Sequence, residues 1–152
     1  MSQIFVSGHK SPDTDSIAAA LSYSYLKRRL GMDAVAVRAG EINKESRFAL
    51  DYFNLEEPIL VTSVARKNPE DEKQKVILVD HNESKQTIDG MDDAEVLEII
   101  DHHRFGDFES ENPIFILVRP VGCVNTVIYG LYKTNHIKPS REIAGIMLSA
   151  II

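Results

Sequence analysis

Cysteine is almost absent from this chain of 152 residues, which contains only Cys123. One cysteine cannot form an internal disulfide, and this predicts a cytoplasmic protein. We interpret Cys123 as a small apolar packing residue rather than as a nucleophile.

Long apolar runs are also lacking, since none reaches the roughly 18 residues that indicate a membrane span. The first residues lead directly into a short apolar run without the features of a signal peptide. We therefore expect no membrane partner.

Basic residues are outnumbered: 17 lysines and arginines face 23 aspartates and glutamates, which gives a net charge of -6. Surfaces that bind nucleic acid are normally basic, so we expect no nucleic-acid partner.

Glycine-rich phosphate loops are also missing. The glycines that lie near candidate strands form neither a Walker nor a dinucleotide-binding fingerprint; they are Gly8, Gly40, Gly106 and Gly122.

The overall composition, 43% hydrophobic and 26% charged residues, is typical of a globular domain. We expect one domain over residues 1–152. Five apolar runs predict strands at about 4–6, 34–37, 76–79, 94–100 and 114–118. Helical patterns cover about 15–30, 44–53, 124–134 and 143–152. Strands that alternate with helices predict an α/β fold with three layers, in which helices flank a mainly parallel, five-stranded sheet.

Three clusters of aspartate and histidine each follow one of these apolar runs. They are His9, Asp13 and Asp15; then Asp80, His81 and Asn82; then Asp101, His102 and His103. Taken singly, each cluster could consist of helix-capping or turn residues. Because the carboxyl ends of parallel strands meet at one sheet edge, the joint occurrence favours a single metal site instead.

The ligand chemistry narrows the choice of metal. Carboxylates with imidazoles suit Mn²⁺ or Mg²⁺ and tolerate Co²⁺ or Zn²⁺. One carboxylate, that of Asp80, could bridge two ions that together assist phosphoryl chemistry. We further expect Thr14, which would not bind metal itself, to hydrogen-bond a carboxylate that does.

Six motifs resemble those of one family. They are residues 8–15 (GHKSPDTD), 48–53 (FALDYF), 79–83 (VDHNE), 100–104 (IDHHR), 120–123 (PVGC) and 142–145 (EIAG). With them, essentially the whole chain resembles the N-terminal domain of family II, manganese-dependent inorganic pyrophosphatases, within the DHH phosphoesterase superfamily.

The resemblance implies a role for each residue. His9 and Asp13 would hold one Mn²⁺, Asp15 and His102 the other, and Asp80 would bridge them, with Co²⁺ or Mg²⁺ as possible substitutes. His103 would bind phosphate and serve as the candidate catalytic acid, next to Arg104 as a further substrate-binding residue. Asp101 would orient the neighbouring histidines. His81 and Asn82 would contact the metal ligands without binding metal themselves.

The activity implied is hydrolysis of inorganic pyrophosphate to two phosphates at a two-metal site, in a homodimer. Two alternatives stay open: a DHH phosphodiesterase that acts on short oligonucleotides or cyclic dinucleotides, or a non-catalytic domain that binds metal and dimerises. The chain departs from the family at Val124-Asn125-Thr126, where small hydroxylated residues are usual. It also lacks the family's next metal ligand and its C-terminal, substrate-clamping domain. We therefore expect a polypeptide truncated after Ile152, which is inactive or weakly active alone.

Overall fold

A computed structural model describes residues 2–152. Its centre is a six-stranded sheet in which every neighbouring pair is parallel. The strands are β1 (Ile4–Ser7), β2 (Ala34–Arg38), β3 (Ile59–Leu60), β4 (Lys75–Val79), β5 (Glu95–Asp101) and β6 (Phe115–Val118). The predicted α/β class and parallel sheet are confirmed. The sixth strand, β3, was not predicted, because two exposed residues carry no periodic signal.

The four α-helices lie close to their predicted positions. They are α1 (Thr14–Arg29), α2 (Lys44–Tyr52), α3 (Val124–Thr134) and α4 (Arg141–Ile151). Helix α1 packs between the sheet and the other helices, and alanines 18–20 on it are buried. Because alanine adds little bulk, the helix approaches its neighbours closely on more than one side.

The two faces of the sheet are covered differently. The face that carries Val6, Ile77 and Val79 packs against α1, α3 and α4. The opposite face, with Val76 and Leu78, packs against loop residues such as Val64 and Ile88. The third layer therefore consists of loops and two 3-10 turns, Ser84–Gln86 and Met91–Asp93. No helix within residues 2–152 combines the length and apolar character needed to cross a bilayer.

The strand order, β3-β2-β1-β4-β5-β6, places β1 next to β4 at the centre of the sheet. The chain moves from β1 outward to β2 and β3, and then returns to the other side of β1. Such a switch in direction opens a crevice outside the carboxyl ends of the two central strands. Residues after Ser7 and Val79 enter this crevice, and β5 ends beside it at Asp101.

Candidate metal centre

The first group of site residues follows β1. The backbone N–H of His9 donates to the Ser16 hydroxyl at 2.9 Å, which ties the loop to the start of α1. Gly8 lies so close to Ser16 that a Cβ at position 8 would clash. This contact leaves His9 Nε2 at 3.2 Å from Asp80 Oδ2 and 3.7 Å from Asp13 Oδ1. One carboxylate from the same loop and one from the residue after β4 therefore converge on His9.

Asp80 occupies the centre of the site. It follows β4 in the left-handed region, with φ of 64°, and its N–H donates to the Ile100 carbonyl at 3.0 Å. A non-glycine residue adopts this conformation at a cost of about 1–3 kcal/mol, which is typical of functional positions. Its buried Oδ2 faces His9, and its Oδ1 lies 2.9 Å from His102 Nε2. Each oxygen of this one carboxylate thus faces a different histidine.

The third group follows β5, where Asp101 is fully buried. Its Oδ1 accepts from the backbone N–H of His102 at 2.7 Å and from His103 Nδ1 at 2.7 Å. Its Oδ2 accepts from Asn82 Nδ2, also at 2.7 Å. With its oxygens engaged in this way, Asp101 fixes the orientation of His103. The His103 side chain is 49% exposed, so its Nε2 is available at the crevice.

The histidine tautomers test whether a cation fits here. His9 Nδ1 lies 2.6 Å from the Lys10 carbonyl, and His102 Nδ1 lies 2.8 Å from that of Val121. A carbonyl only accepts, so each Nδ1 must carry a proton. In a neutral imidazole, Nε2 would then turn a lone pair toward the Asp80 oxygens. This repulsion is relieved by a proton or by a cation between them, and the donor set therefore fits divalent metal ions.

The electrostatics of the site lead to the same conclusion. Burial lowers the pKa of His9, but hydrogen bonds to Asp13 and Asp80 outweigh it and raise that pKa to about 10. Burial raises the pKa of Asp80 to about 6, although His9 opposes the shift. Burial also opposes protonation of His102, yet the Val121 carbonyl and Asp80 raise its pKa. The carboxylates at this edge therefore require positive charge nearby.

The structure brings together all five predicted metal ligands, with His103 beside them. Ligand atoms of His9, Asp13 and Asp80 lie within 4.8 Å of one another. The remaining pair meets at 3.4 Å, between His102 Nε2 and Asp15 Oδ2. Asp13 has a second function as the N-cap of α1, because its Oδ1 accepts from Ser16 N–H at 2.9 Å.

The predicted contact of Thr14 was wrong. We expected its hydroxyl to bond a ligand carboxylate, but it donates to Glu45 on α2 and lies 3.2 Å from the Ser46 hydroxyl. Thr14 is the first residue of α1, where its side chain faces α2. It joins two helices rather than supporting a ligand.

The other supporting residues differ in their contacts. Asn82 acts through Asp101, as described above. His81 is buried, its Nδ1 donates to the Val79 carbonyl at 2.9 Å, and burial lowers its pKa to about 4. Its ring meets that of His9 edge to face, with centroids 6.4 Å apart. His81 therefore packs under His9 as a neutral side chain. Arg104 extends into solvent, 3.5 Å from Glu83.

Sequence reasoning missed the residues that hold Asp15. Its Oδ2 accepts from Val124 N–H at 2.9 Å, and its Oδ1 accepts from Cys123 Sγ at 2.8 Å and from Asn125 Nδ2 at 2.7 Å. These partners lie 108–110 positions away in the chain. The available signal was the start of α3, where Cys123 provides no side-chain cap.

Comparison with known proteins decides the family. The model of the DHH family, N-terminal domain, matches residues 3–151. The chain belongs to the DHH family. A probable manganese-dependent inorganic pyrophosphatase of Bacillus licheniformis is 51% identical over 152 residues, which are 100% of this chain and 48% of that protein. One with the same description from Exiguobacterium sp. is 49% identical, with the same coverage. The chain thus spans about half the length of the curated relatives that it matches.

Two solved structures resemble this chain over nearly its whole length. The crystal structure of a Methanococcus jannaschii putative family II inorganic pyrophosphatase matches with a TM-score of 0.84 and 38% identity, over 98% of this chain and 47% of that one. An exopolyphosphatase-related protein from Bacteroides fragilis has a TM-score of 0.69 and 17% identity, over 99% and 45% of the two chains. At that identity the second likeness shows the fold alone.

Proposed function

We propose that this DHH domain is the metal-binding part of a manganese-dependent inorganic pyrophosphatase, which hydrolyses pyrophosphate to two phosphates. The observation that carries the proposal is the position of Asp80, whose two oxygens face His9 and His102 at 3.2 and 2.9 Å. One bridging carboxylate between two histidine-carboxylate pairs is the arrangement that a two-ion site needs. The relatives at 49–51% identity carry the matching description.

The ligands divide into two groups around Asp80. His9 and Asp13 would hold one Mn²⁺, and Asp15 and His102 would hold the other. Bound divalent ions supply Lewis-acid chemistry, in that they offset phosphate charge and acidify water. Co²⁺ or Mg²⁺ suits the same oxygen and imidazole donors.

His103 is our candidate for the group that contacts substrate. Its Nδ1 donates to Asp101, which leaves Nε2 directed away from that carboxylate. A half-exposed imidazole beside the metal ligands can bind a phosphate oxygen and donate a proton to the leaving group. Arg104 adds a positive charge at the rim of the crevice, where its side chain is 83% exposed.

The proposal is tested by phosphate release from pyrophosphate, with Mn²⁺ and the full-length gene product, against a dinucleotide as competing substrate. We expect Asp80→Asn to weaken Mn²⁺ binding and turnover together, each by at least about tenfold, because it removes the shared charge. Asp92→Asn is the matched control, since Asp92 is exposed and precedes β5, whereas Asp80 follows β4 and His102 follows β5. Cleavage of the dinucleotide but not of pyrophosphate would contradict the proposal.

We further propose a homodimer that forms through β6. This strand lies at the edge of the sheet, carries no charge, and exposes 49% of Phe115 and 44% of Ile116. An uncharged edge strand with free backbone groups is a template for pairing with another strand, and a second copy offers the identical sequence. Ile116→Lys should convert the dimer to a monomer in sedimentation velocity. Ile59→Lys, at the opposite edge on β3, is the control. A dimer unaffected by Ile116→Lys would refute this surface.

We assign the protein to the cytoplasm. Its one thiol is buried, and it donates to Asp15 at 2.8 Å. A contact that requires the reduced sulfur suits a reducing compartment.

A further inference from the structure

Helix α3 begins without a capping side chain of its own. Its first backbone N–H groups are satisfied by Asp15, which belongs to α1: Val124 N–H donates to Oδ2 at 2.9 Å, and Asn125 N–H donates to Oδ1 at 3.3 Å. The free N–H groups and the positive end of the helix dipole favour a carboxylate at this point. A proposed metal ligand therefore also caps a helix from elsewhere in the chain.

The side chain of Asn125 adds two contacts to the same aspartate. Its Nδ2 donates to Asp15 Oδ1 at 2.7 Å and to the Asp15 carbonyl at 3.0 Å. Both of these oxygens only accept, so the amide nitrogen must face them. The amide oxygen accepts from the Ser22 hydroxyl at 3.0 Å, and Ser22 and Asn125 are both fully buried. The orientation of this amide is thus fixed on both sides.

The two oxygens of Asp15 accept different numbers of hydrogen bonds. Oδ1 receives three donors, which are the Cys123 thiol and the backbone and side-chain N–H groups of Asn125. Oδ2 receives one donor, Val124 N–H, and lies 3.4 Å from His102 Nε2. Because Oδ1 has no lone pair to spare, only Oδ2 is available to a cation.

We propose that Asn125 is a positioning residue, whose buried amide turns Asp15 so that Oδ2 alone faces the cation position shared with His102. The inference rests on the proposed two-metal function and adds a determinant of one ion's affinity. Asn125 contacts neither His9 nor Asp13, so its effect should be confined to one ion.

The test is a Mn²⁺ titration of the 152-residue chain, in which electron paramagnetic resonance measures the free ion. We expect Asn125→Ala to weaken one binding step by about ten- to a hundredfold, as loss of a ligand-orienting partner does, and to leave the other within about twofold. Asn135→Ala is the matched control, because Asn135 lies at the other end of α3 and its amide donates only to the Leu131 carbonyl.

Three outcomes would overturn the inference. Asn125→Ala could bind both ions like the wild type, or lose both equally, which would indicate a purely structural role. A wild-type chain that bound no Mn²⁺ would remove the proposed function and this inference together. If Asn125→Ala does not fold, Ser22→Ala decides, since it frees the amide and leaves Asn125 in place. A selective loss of one ion in Ser22→Ala would support the inference, and wild-type binding would refute it.

Discussion

At the scale of single residues, His103 and Asp80 are neighbours, but their side chains contact different partners. His103 Nδ1 lies 2.7 Å from Asp101 Oδ1 and 3.9 Å from Asp80 Oδ1. The shorter contact leaves Nε2 for substrate, whereas Asp80 has both oxygens directed at histidines that would bind metal. Under the proposed function, this difference would separate binding of the ions, by Asp80, from transfer of the proton, by His103.

We expect His103→Gln to reduce turnover of pyrophosphate by about a hundredfold or more, the scale of a general acid, with Mn²⁺ affinity largely unchanged. Glutamine keeps an amide that can donate a hydrogen bond but cannot deliver a proton. Turnover and Mn²⁺ binding should be measured on the same preparation. If His103→Gln lost Mn²⁺ as severely as Asp80→Asn, the division of roles between the two residues would be wrong.

The position of the candidate ligands at one sheet edge could be predicted from the sequence, because each group of them follows an apolar run and parallel strands end together at that edge. The hydrogen bonds behind them could not. Thr14 contacts Glu45 and Ser46, and Asn125 contacts Asp15 across 110 positions. Such contacts depend on how two helices are set against each other, which periodicity does not report.

At the scale of elements, α2 and α4 pack against each other beside α1. Gly145 on α4 lies against the ring of Phe53, which follows α2, and a Cβ at position 145 would fall well inside contact distance. The buried apolar residues that pack together here include Ile17 and Ala18 from α1 and Leu50 from α2. The glycine therefore allows the two outer helices to pack on α1 together.

Gly145→Ala should destabilise the fold by about 1–3 kcal/mol, because overpacking of a filled contact outweighs the gain of up to about 1 kcal/mol in helix propensity. Gly130→Ala is the matched control in α3, where no atom lies near the added methyl group. That variant should be neutral or slightly more stable. Urea unfolding of both variants measures the difference, and equal free energies of unfolding would contradict the packing argument.

The elements themselves show why the sheet was largely predictable. In β4, residues 76–79 are branched or apolar and are buried on both faces, as parallel strands require. β5 has such a run only near its end, where Ile99 and Ile100 are buried. β3 was not predicted, because it has only two residues, Ile59 and Leu60, and both are exposed. Its pairing with β2 depends on neighbouring strands rather than on a pattern of its own.

At the scale of the whole molecule, the proposed site has little positive charge around it. Among residues 2–152, the cationic side chains that the sequence places next to it are Lys10 and Arg104. Lys10 pairs with Asp89 at 2.7 Å, and Arg104 lies 3.5 Å from Glu83. Pyrophosphate carries several negative charges, and it would meet the carboxylates of Asp13, Asp15 and Asp80. Ions at this site would offset some of that charge, and phosphate oxygens beyond their reach would need cationic side chains to bind them.

We therefore expect the 152-residue chain alone to hydrolyse pyrophosphate at least about a hundredfold more slowly than the Bacillus licheniformis relative, since removal of even one group that stabilises developing charge costs that much. The relative is about twice as long, because the match covers 48% of it. Turnover should be compared at saturating Mn²⁺, and the free energy of unfolding of the chain should be measured beside it. Because three clusters of buried apolar residues join the sheet to its helices and loops, the chain should fold. A low rate would then indicate that the site lacks groups needed for catalysis. A rate equal to that of the relative would show that residues 2–152 already contain every group that catalysis requires.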